Sequence, residues 1–273
     1  MKLKNKTILI TGASSGIGEA MAYKAAADGA TVILSARRKD RLENVANKVK
    51  ELGGIPVVIE CDVTKPDQVK RMFLEAVKNE RKLDVVFNNA GLGHIGTIYQ
   101  LTAEQIGQMV DVNFKGMAWV TKYATEVMAR QKFGHIIITS SLAGFVTLPQ
   151  WSIYAGTKWA IRGFAGSIRH ELKPYNIKIT TLHPGAVKTE FFDKEKANID
   201  IKNLGNAISS EQVANAVYEA IFTNKKRILV PGSVKIYAWL SNYLTWLVDA
   251  MVARMASKIK YHKGIKEDEP EFN

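Results

Sequence analysis

Tyr154 and Lys158 are the two side chains whose types and spacing best suit chemistry. Four residues apart on a helix, they share one face and lie about one turn apart. A tyrosine hydroxyl can donate or accept a proton, and a lysine cation beside it favours the phenolate. We therefore expect Lys158 to lower the pKa of Tyr154, as general acid–base chemistry requires. The pattern Tyr-x-x-x-Lys arises easily by chance, but only one of the nine tyrosines, Tyr154, has a lysine four residues later. Ser141 lies thirteen residues before Tyr154.

A turn of small residues near the N-terminus could bind a nucleotide. Residues 11–18 read Thr-Gly-Ala-Ser-Ser-Gly-Ile-Gly, after an apolar β-branched run and before an Ala-rich stretch with helical periodicity. In a strand–turn–helix arrangement, small residues let the backbone approach a pyrophosphate, and the helix N-terminus offers N–H groups to its charge. Glycines also mark ordinary turns, and this spacing is wider than the common dinucleotide fingerprint. The residues predicted to bind are Gly12, Ser14, Ser15, Gly16, Ile17 and Gly18.

Two arginines follow the second predicted strand. A site that prefers NAD usually has a carboxylate there, for the ribose 2′-hydroxyl, but position 36 is Ala, followed by Arg37 and Arg38. A guanidinium fork suits a 2′-phosphate, which a carboxylate would repel. The alternative is that both arginines begin a solvated helix, since the charged residues continue after them. Their place beside the expected ribose favours NADP.

Two further segments follow predicted strands. Asp62 could accept a hydrogen bond from an adenine amino group, with Val63 against the ring, although Asp62 also suits the turn before a helix. After the fourth strand, Asn89, Ala90 and Gly91 would admit a cofactor, and the asparagines at 88 and 89 can connect neighbouring strand ends.

Short β-rich runs alternate with longer amphipathic segments along the chain. Such alternation predicts an α/β, doubly wound parallel sheet with helices on both faces and a ligand at the carboxyl ends of the strands. The predicted strands are 6–10, 31–35, 56–60, 84–87, 134–139, 177–182 and 227–230. The predicted helices are 16–28, 39–52, 66–80, 102–131, 153–174 and 210–223.

Composition narrows the class of protein. The 273 residues, 47% of them hydrophobic, can bury a substantial core, and no linker or repeat divides them. The single cysteine, Cys61, excludes an internal disulfide and most cysteine metal sites, so we expect no metal. The net charge of +12 suits an anionic lipid or an acidic substrate, whereas a nucleic-acid partner lacks a supporting motif. No signal peptide is visible, which favours the cytosol.

Together, these motifs resemble the short-chain dehydrogenase/reductase family over residues 5–231. Each motif is modest alone, but their joint order and spacing are specific. The resemblance implies one Rossmann-type domain with a parallel sheet of about seven strands. The matching positions are residues 11–18, Asp62, Val63, Asn88, Asn89, Ala90, Gly91, Asn113, Ser141, Tyr154, Lys158, Pro184 and Gly185.

The resemblance also implies a role for each catalytic position. Tyr154 would donate a proton to a carbonyl oxygen as hydride reaches the carbon, and Ser141 would hydrogen-bond that oxygen. Lys158 would also bind the nicotinamide ribose. Asn113 would hold a water that links Lys158 to solvent. Among residues 184–189, Pro184, Gly185, Val187 and Thr189 would line the nicotinamide site, with the Val187 backbone and Thr189 fixing the carboxamide.

The implied activity is NADP-dependent reduction of a ketone or aldehyde, or oxidation of the alcohol. Candidate substrate contacts are mostly apolar, which favours a hydrophobic carbonyl compound, and residues 186–205 would form a lid. These candidates are His94, Leu142, Phe145, Val146, Gln150, Trp151, Phe191 and Phe192, of which His94 suits a solvated loop better than a contact. Two alternatives are a 3-oxoacyl thioester reductase and an NADPH-binding protein without turnover. The family is frequently dimeric or tetrameric through its long helices, which predicts a homodimer or homotetramer.

The chain continues past the expected last strand. We divide it into a catalytic domain, 1–231, and a C-terminal extension, 232–273. Within the extension, 233–260 is predicted as a helix with a wide apolar surface and only a narrow polar stripe, which must be buried somewhere. Three alternatives stay open: packing beside the substrate pocket, a subunit interface, or a membrane surface. Two tryptophans and the basic stretch 258–266 suit the last.

Overall fold

A seven-stranded parallel sheet forms the centre of the computed structural model, which describes residues 1–191 and 207–256. The strand order β3-β2-β1-β4-β5-β6-β7 reverses direction between β1 and β4, which makes a crevice at their carboxyl ends. The strands are β1 (Thr7–Thr11), β2 (Thr31–Ala36), β3 (Ile55–Glu60), β4 (Val85–Asn88), β5 (Gly134–Thr139), β6 (Ile177–Pro184) and β7 (Arg227–Val230). This architecture confirms the predicted fold class.

Helices cover both faces of the sheet. Alternate residues of one strand enter different cores: Ile8 and Ile10 pack in the core on one face of the sheet, whereas Leu9 packs in the core on the opposite face. The helices are α1 (Gly16–Ala27), α2 (Lys39–Glu51), α3 (Pro66–Ala76), α4 (Ala103–Val110), α5 (Met117–Gln131), α6 (Ser152–Glu171), α7 (Ser210–Ile221), α8 (Lys235–Tyr243) and α9 (Thr245–Ala256).

Three predicted helices differ from the structure. The helix predicted at 102–131 contains a π-helical segment, Asp111–Gly116, between α4 and α5. The helix predicted at 66–80 ends at Ala76: Val77 leaves helical geometry at φ −101° and ψ +8°, and a separate 3₁₀ turn, Lys78–Glu80, follows. The single helix expected at 233–260 is wrong: Leu244, at φ −128° and ψ +55°, separates α8 from α9. Apolar periodicity continues through each interruption and so does not reveal it.

The turn after β1 brings two backbones close together. Gly12 has a φ of +66°, and a Cβ on it would lie 3.0 Å from Ala90 Cα. A Cβ on Gly18 would lie 2.2 Å from the carbonyl oxygen of Gly12, closer than any contact allows. Only glycine therefore lets the first turn of α1 pack on the loop in front of it.

We predict that Gly18→Ala lowers the free energy of unfolding by about 1–3 kcal/mol, because the turn must shift to admit the methyl group. Gly163→Ala is the matched control, since a Cβ there meets no atom within 4 Å on an exposed part of α6. That substitution should stabilise the protein by roughly 0.5–1 kcal/mol. Urea unfolding followed by circular dichroism measures both. Equal stability of the two variants would contradict the tight packing at Gly18.

Candidate active site

A cavity of about 990 Å³ lies at the carboxyl ends of the strands. Segments after all seven strands contribute to it, as expected for a doubly wound sheet. The predicted residues that line it are Gly12, Ser14, Ser15, Gly16, Ile17, Arg37, Arg38, Asp62, Val63, Asn89, Ala90, Gly91, Ser141, Tyr154, Lys158, Pro184, Gly185, Val187 and Thr189. Gly18 packs behind the turn, and Asn113 lies behind the loop after Gly91.

Tyr154 and Lys158 lie on the same face of α6, as predicted, and both are buried. The Lys158 Nζ is 5.5 Å from the centre of the Tyr154 ring and donates a hydrogen bond to the carbonyl oxygen of Thr139, at 3.2 Å. Trp151 and Phe191 pack edge-on against the tyrosine, with ring centres at 5.6 and 5.9 Å. The phenol therefore lies in an apolar, aromatic environment.

Burial dominates the protonation of this pair. It raises the pKa of Tyr154 to about 12, although a hydrogen bond with the Ser141 side chain lowers it in part. Burial also lowers the pKa of Lys158 to about 7. Both shifts follow from burial, because desolvation disfavours the phenolate and the ammonium alike, and the expectation that Lys158 lowers the pKa of Tyr154 stays a prediction. At neutral pH the tyrosine is a neutral hydroxyl that can donate a proton.

Ser141 connects the tyrosine to a short 3₁₀ turn, Leu142–Gly144. Its Oγ accepts a hydrogen bond from the Ala143 N–H at 3.1 Å, while its side chain also bonds with Tyr154. The turn lies between β5 and α6, so the two hydroxyl groups predicted to contact substrate meet at one point of the cavity.

Asn113 lies in the π-helical segment and is buried. Its Oδ1 accepts from the Leu92 N–H at 2.9 Å, and its Nδ2 donates to the Leu92 carbonyl at 2.9 Å and to Thr157 Oγ1 at 3.3 Å. These bonds attach the loop after β4 to α6. The water-holding role predicted for Asn113 stays a prediction.

Arg38 lies over the glycine turn. Its Nη2 donates to Ser14 Oγ at 3.0 Å and to Ser15 Oγ at 2.9 Å. Ser15 is the N-cap of α1 but makes no capping bond with its side chain, so the first N–H groups of the helix face the cavity region without a local cap. Arg37 is exposed and lines the same end of the cavity. Cations and helix N–H groups thus gather where an anion would bind.

The segments after β3 and β4 have clear structural roles. The Asp62 Oδ1 accepts from the N–H and the hydroxyl of Thr64, at 2.9 and 2.8 Å, as its alternative role in a turn requires. Asn89 donates through Nδ2 to the Thr11 carbonyl at 3.3 Å and accepts from Thr139 Oγ1 at 3.2 Å. Asn89 therefore connects β1 and β5, as predicted.

Nearby, Cys61 is buried, and burial raises its pKa to about 11, as expected for an unreactive thiol.

The segment after β6 returns over the glycine turn. Val187 forms a parallel bridge with Ile208, and a Cβ on Gly16 would lie 3.1 Å from Thr189 Cγ2. Glu190 forms an ion pair at 2.8 Å with Arg41 of α2, across the open edge of the cavity. Most of the predicted lid, and Phe192 with it, lies outside the described residues.

The predicted substrate contacts divide into two groups. Leu142, Val146, Trp151 and Phe191 line the cavity. His94 instead bonds to Gln108 Oε1 at 3.0 Å, and the carbonyl of Gln150 accepts from the Gly96 N–H. Phe145 is buried against Arg162 and His183.

The C-terminal extension forms a wall of the cavity, and none of its residues was among the predicted substrate contacts. The lining residues it contributes are Ser233, Val234, Tyr237, Val248, Met251, Val252 and Arg254. Packing beside the substrate pocket was one of the three alternatives for this segment. Its broad apolar surface was the available signal, but the sequence could not assign which residues face the cavity.

Sequence reasoning also missed His183, on β6. Its Nδ1 lies 3.2 Å from the Ser141 carbonyl, and because a carbonyl only accepts, Nδ1 carries the hydrogen. Its Nε2 lies 2.9 Å from Thr181 Oγ1. Burial lowers the pKa of His183 to about 3, so the ring is neutral and holds the backbone of Ser141. A histidine within an apolar strand gives no signal of this contact.

Within the described ranges, 1–191 and 207–256, no three acidic, cysteine or histidine side chains come together in a way that could hold a metal ion. Within the same ranges, every helix is too short or too polar to cross a membrane.

The sequence is similar to those of oxidoreductases. The family model described as short chain dehydrogenase matches residues 6–200. An uncharacterized oxidoreductase of Staphylococcus saprophyticus is 40% identical over 226 residues, which span 80% of this chain and 91% of that relative. The 11-beta-hydroxysteroid dehydrogenase 1A of Arabidopsis thaliana is 39% identical over 252 residues, which span 87% of this chain and 72% of that relative.

Solved structures share the fold. A short chain dehydrogenase/reductase of Burkholderia phymatum in complex with NAD has a TM-score of 0.82, with 90% of this chain and 96% of that chain covered; at 24% identity it shows the fold alone. A short-chain dehydrogenase of Sphingobium yanoikuyae in complex with NADPH has a TM-score of 0.77 at 25% identity, with 97% and 99% covered. The chain therefore belongs to the short-chain dehydrogenase/reductase family of oxidoreductases, which act on carbonyl and alcohol groups.

Proposed function

We propose that this protein transfers hydride between NADPH and a hydrophobic ketone or aldehyde. One observation carries the proposal: a neutral, buried Tyr154 hydroxyl, bonded to Ser141, lies in the same cavity as the cationic end at Arg38. An acid, an oxygen-binding hydroxyl and an anion-binding end are the groups that this reaction needs.

The residues present fit a nicotinamide dinucleotide. Gly12 leaves the backbone bare where a Cβ would close the turn, and the N-terminus of α1 supplies N–H groups for a pyrophosphate. Asp62, Val63, Asn89, Ala90 and Gly91 would line the adenosine and ribose region, and Pro184, Gly185, Val187 and Thr189 the nicotinamide region. When bound, the cofactor supplies or accepts the hydride.

The chain's own residues handle the proton. Tyr154 Oη donates its proton to the carbonyl oxygen of the substrate, while the Ser141 hydroxyl donates a hydrogen bond to the same oxygen and stabilises its developing charge. Lys158 stabilises the phenolate left behind, because a cation near it disfavours the return of the proton. The aromatic rings around Tyr154 exclude water from this transfer.

The shape of the cavity favours an apolar substrate. Apolar side chains from the segment between β5 and α6 and from α9 line the same cavity as Tyr154, including Leu142, Trp151 and Val248. A sugar or a small acid would leave its polar groups without partners against this wall. A 3-oxoacyl thioester reductase is the alternative activity, and an NADPH-binding protein without turnover is the alternative of another class.

Tyr154→Phe is expected to lower kcat at least about a hundredfold, because it removes the acid and leaves the ring in place. Kd for NADPH, measured by fluorescence titration, should change less than about twofold, since the remaining cavity is intact. NADPH oxidation is measured with short ketones, long-chain aldehydes, steroids and 3-oxoacyl thioesters.

The control for this series is Tyr123→Phe, the same substitution on α5, where the ring packs with Phe73. A Tyr154→Phe enzyme that keeps most of its turnover would refute the role of the acid. Binding of NADPH by wild type without turnover on every member of the panel would favour the non-catalytic alternative. Preference for the thioester would favour the alternative activity.

The preference for NADPH over NADH rests on Arg37 and Arg38. Arg38 is already held by two serine hydroxyls at the glycine turn, where a 2′-phosphate would lie beside it. Replacing both arginines with alanine should weaken NADPH binding by about 2–3 kcal/mol, as for lost hydrogen bonds to a charged group, and leave NADH nearly unchanged.

Lys39→Ala is the matched control, because it removes one exposed positive charge from the start of α2. It should change both affinities little. Equal losses of NADPH and NADH binding in the double arginine variant would overturn the proposed contact with the 2′-phosphate.

We also propose that the extension binds an anionic membrane surface from the cytosolic side. Trp239, Tyr243 and Trp246 on α8 and α9 are 52%, 71% and 68% exposed, although large aromatic side chains are usually buried. Such rings favour the interface of a bilayer, and the basic stretch at 258–266 directly follows α9 in the sequence. A hydrophobic substrate could then reach the cavity wall formed by α9.

Flotation with liposomes tests this surface. The protein should float with vesicles of phosphatidylcholine and phosphatidylserine, and Trp239→Ser with Trp246→Ser should abolish flotation. Tyr175→Ser, at an exposed position on the turn after α6, should float like wild type. Wild type that stays with the soluble fraction would contradict the proposal and favour the subunit interface. The homodimer or homotetramer expected from the long helices stays a prediction.

A further inference from the structure

The turn that carries Ser141 depends on few internal contacts. Its backbone bonds are Gly144 N–H to the Ser141 carbonyl at 3.0 Å, and Phe145 N–H and Val146 N–H to the Leu142 carbonyl at 2.8 and 3.1 Å. A single 3₁₀ turn of three residues is a weak element by itself, because its hydrogen-bond geometry is poor. The position of the Ser141 hydroxyl therefore needs support from outside the turn.

Arg162 of α6 supplies such support. Its Nη1 donates to the Gly144 carbonyl at 2.6 Å, which fixes the end of the turn. Its guanidinium lies 3.8 Å from the centre of the Phe145 ring, so the next residue is held by stacking as well. One side chain thus binds the turn at two successive residues.

The same guanidinium is itself held in place. Its Nη2 donates to Asn242 Oδ1 of α8 at 3.2 Å, and its outer face lies over Trp159, with the ring centre at 4.8 Å. The C-terminal extension therefore reaches the catalytic turn through one arginine. Among the described residues no carboxylate forms an ion pair with Arg162, and burial and the nearby Arg227 lower its pKa.

Arg162 lies near a second cation, Arg227, which disfavours its charge, so its other contacts must explain why a guanidinium suits this position. The planar fork of a guanidinium can bond a carbonyl at one edge, an amide at another and stack on a ring, which an ammonium or an aliphatic side chain cannot do together. The His183 ring also packs against Phe145, with the ring centres 4.8 Å apart, and donates to the Ser141 carbonyl. The phenyl ring thus contacts two groups that each bond the backbone of the turn.

We propose that Arg162 is a positioning residue that holds the Ser141 turn in its reactive geometry and connects it to α8. The proposal rests on the proposed function for its kinetic consequence, but its structural content does not depend on the substrate. Ser141 acts on the substrate, and Arg162 acts only through the turn.

Hydrogen exchange measures the turn directly. In Arg162→Lys, peptides covering residues 141–147 should exchange about tenfold faster than in wild type, because the bond to Gly144 and the stack on Phe145 are weakened. Arg169→Lys is the matched control, since Arg169 lies two turns further along α6 and bonds the carbonyls of Ile179 and Lys226 instead. Asn242→Ala, which leaves the arginine in place, should give a smaller change in the same peptides.

Kinetics separate positioning from general stability. Arg162→Lys should lower kcat about tenfold while Kd for NADPH stays at the wild-type value. In a Ser141→Ala background the same substitution should lower kcat by less than about twofold, since the group that it positions is gone. A merely structural role would cost the same in both backgrounds.

Wild-type exchange of the turn in Arg162→Lys overturns the proposal, as does an equal loss of kcat in the two backgrounds. If Tyr154-dependent turnover is not found, the proposed function fails, but the exchange experiment still decides the role of Arg162. Circular dichroism melting verifies that each variant is folded before either measurement.

Discussion

The hydrogen bonds between the ends of β1, β4 and β5 are the constraint on which the site depends. Thr11 Oγ1 accepts from the N–H groups of Asn89 and Ala90 at 3.0 and 3.1 Å, and the Asn89 side chain joins Thr11 to Thr139. The carbonyl of Thr139 in turn accepts from Lys158. The glycine turn, the loop after β4 and α6 are thereby fixed to one point of the sheet, where the strand order reverses.

The two ends of the cavity differ in their exposure to solvent, and their charged groups differ accordingly. At the inner end burial keeps Tyr154 protonated and removes part of the charge of Lys158. Toward the outer end Arg37 is exposed, and Arg38 bonds serine hydroxyls, so their charges face solvent and attract anions from it. The cavity therefore suits a molecule with an anionic part and an apolar part.

The fold and most of the site followed from local patterns in the sequence. Strand periodicity, the small residues at 12–18 and the Tyr154–Lys158 spacing each depend on neighbours along the chain, and the structure brings these residues together. The features that depend on packing between distant segments could not be predicted from the sequence. The π-helical segment around Asn113 keeps the helical periodicity of the sequence, and Leu244 interrupts the helical geometry at one residue only. The pKa shifts of Tyr154 and Lys158 follow from their burial, which residue spacing does not reveal. His183 and Arg162 act on the Ser141 turn from distant strands and helices, so no local pattern marked them.

The C-terminal extension has one surface that lines the cavity and another that is exposed. One side of α8 and α9 forms a cavity wall through Tyr237 and Val248, while Trp239 and Trp246 stay exposed. Because Asn242 of α8 also bonds Arg162, displacement of the extension changes the cavity wall and the contact to the turn together. Under the proposal that the extension binds a bilayer, the exposed aromatic side chains and the residues that line the cavity lie on the same two helices. Substrate entry and the position of the Ser141 turn would then both involve α8 and α9.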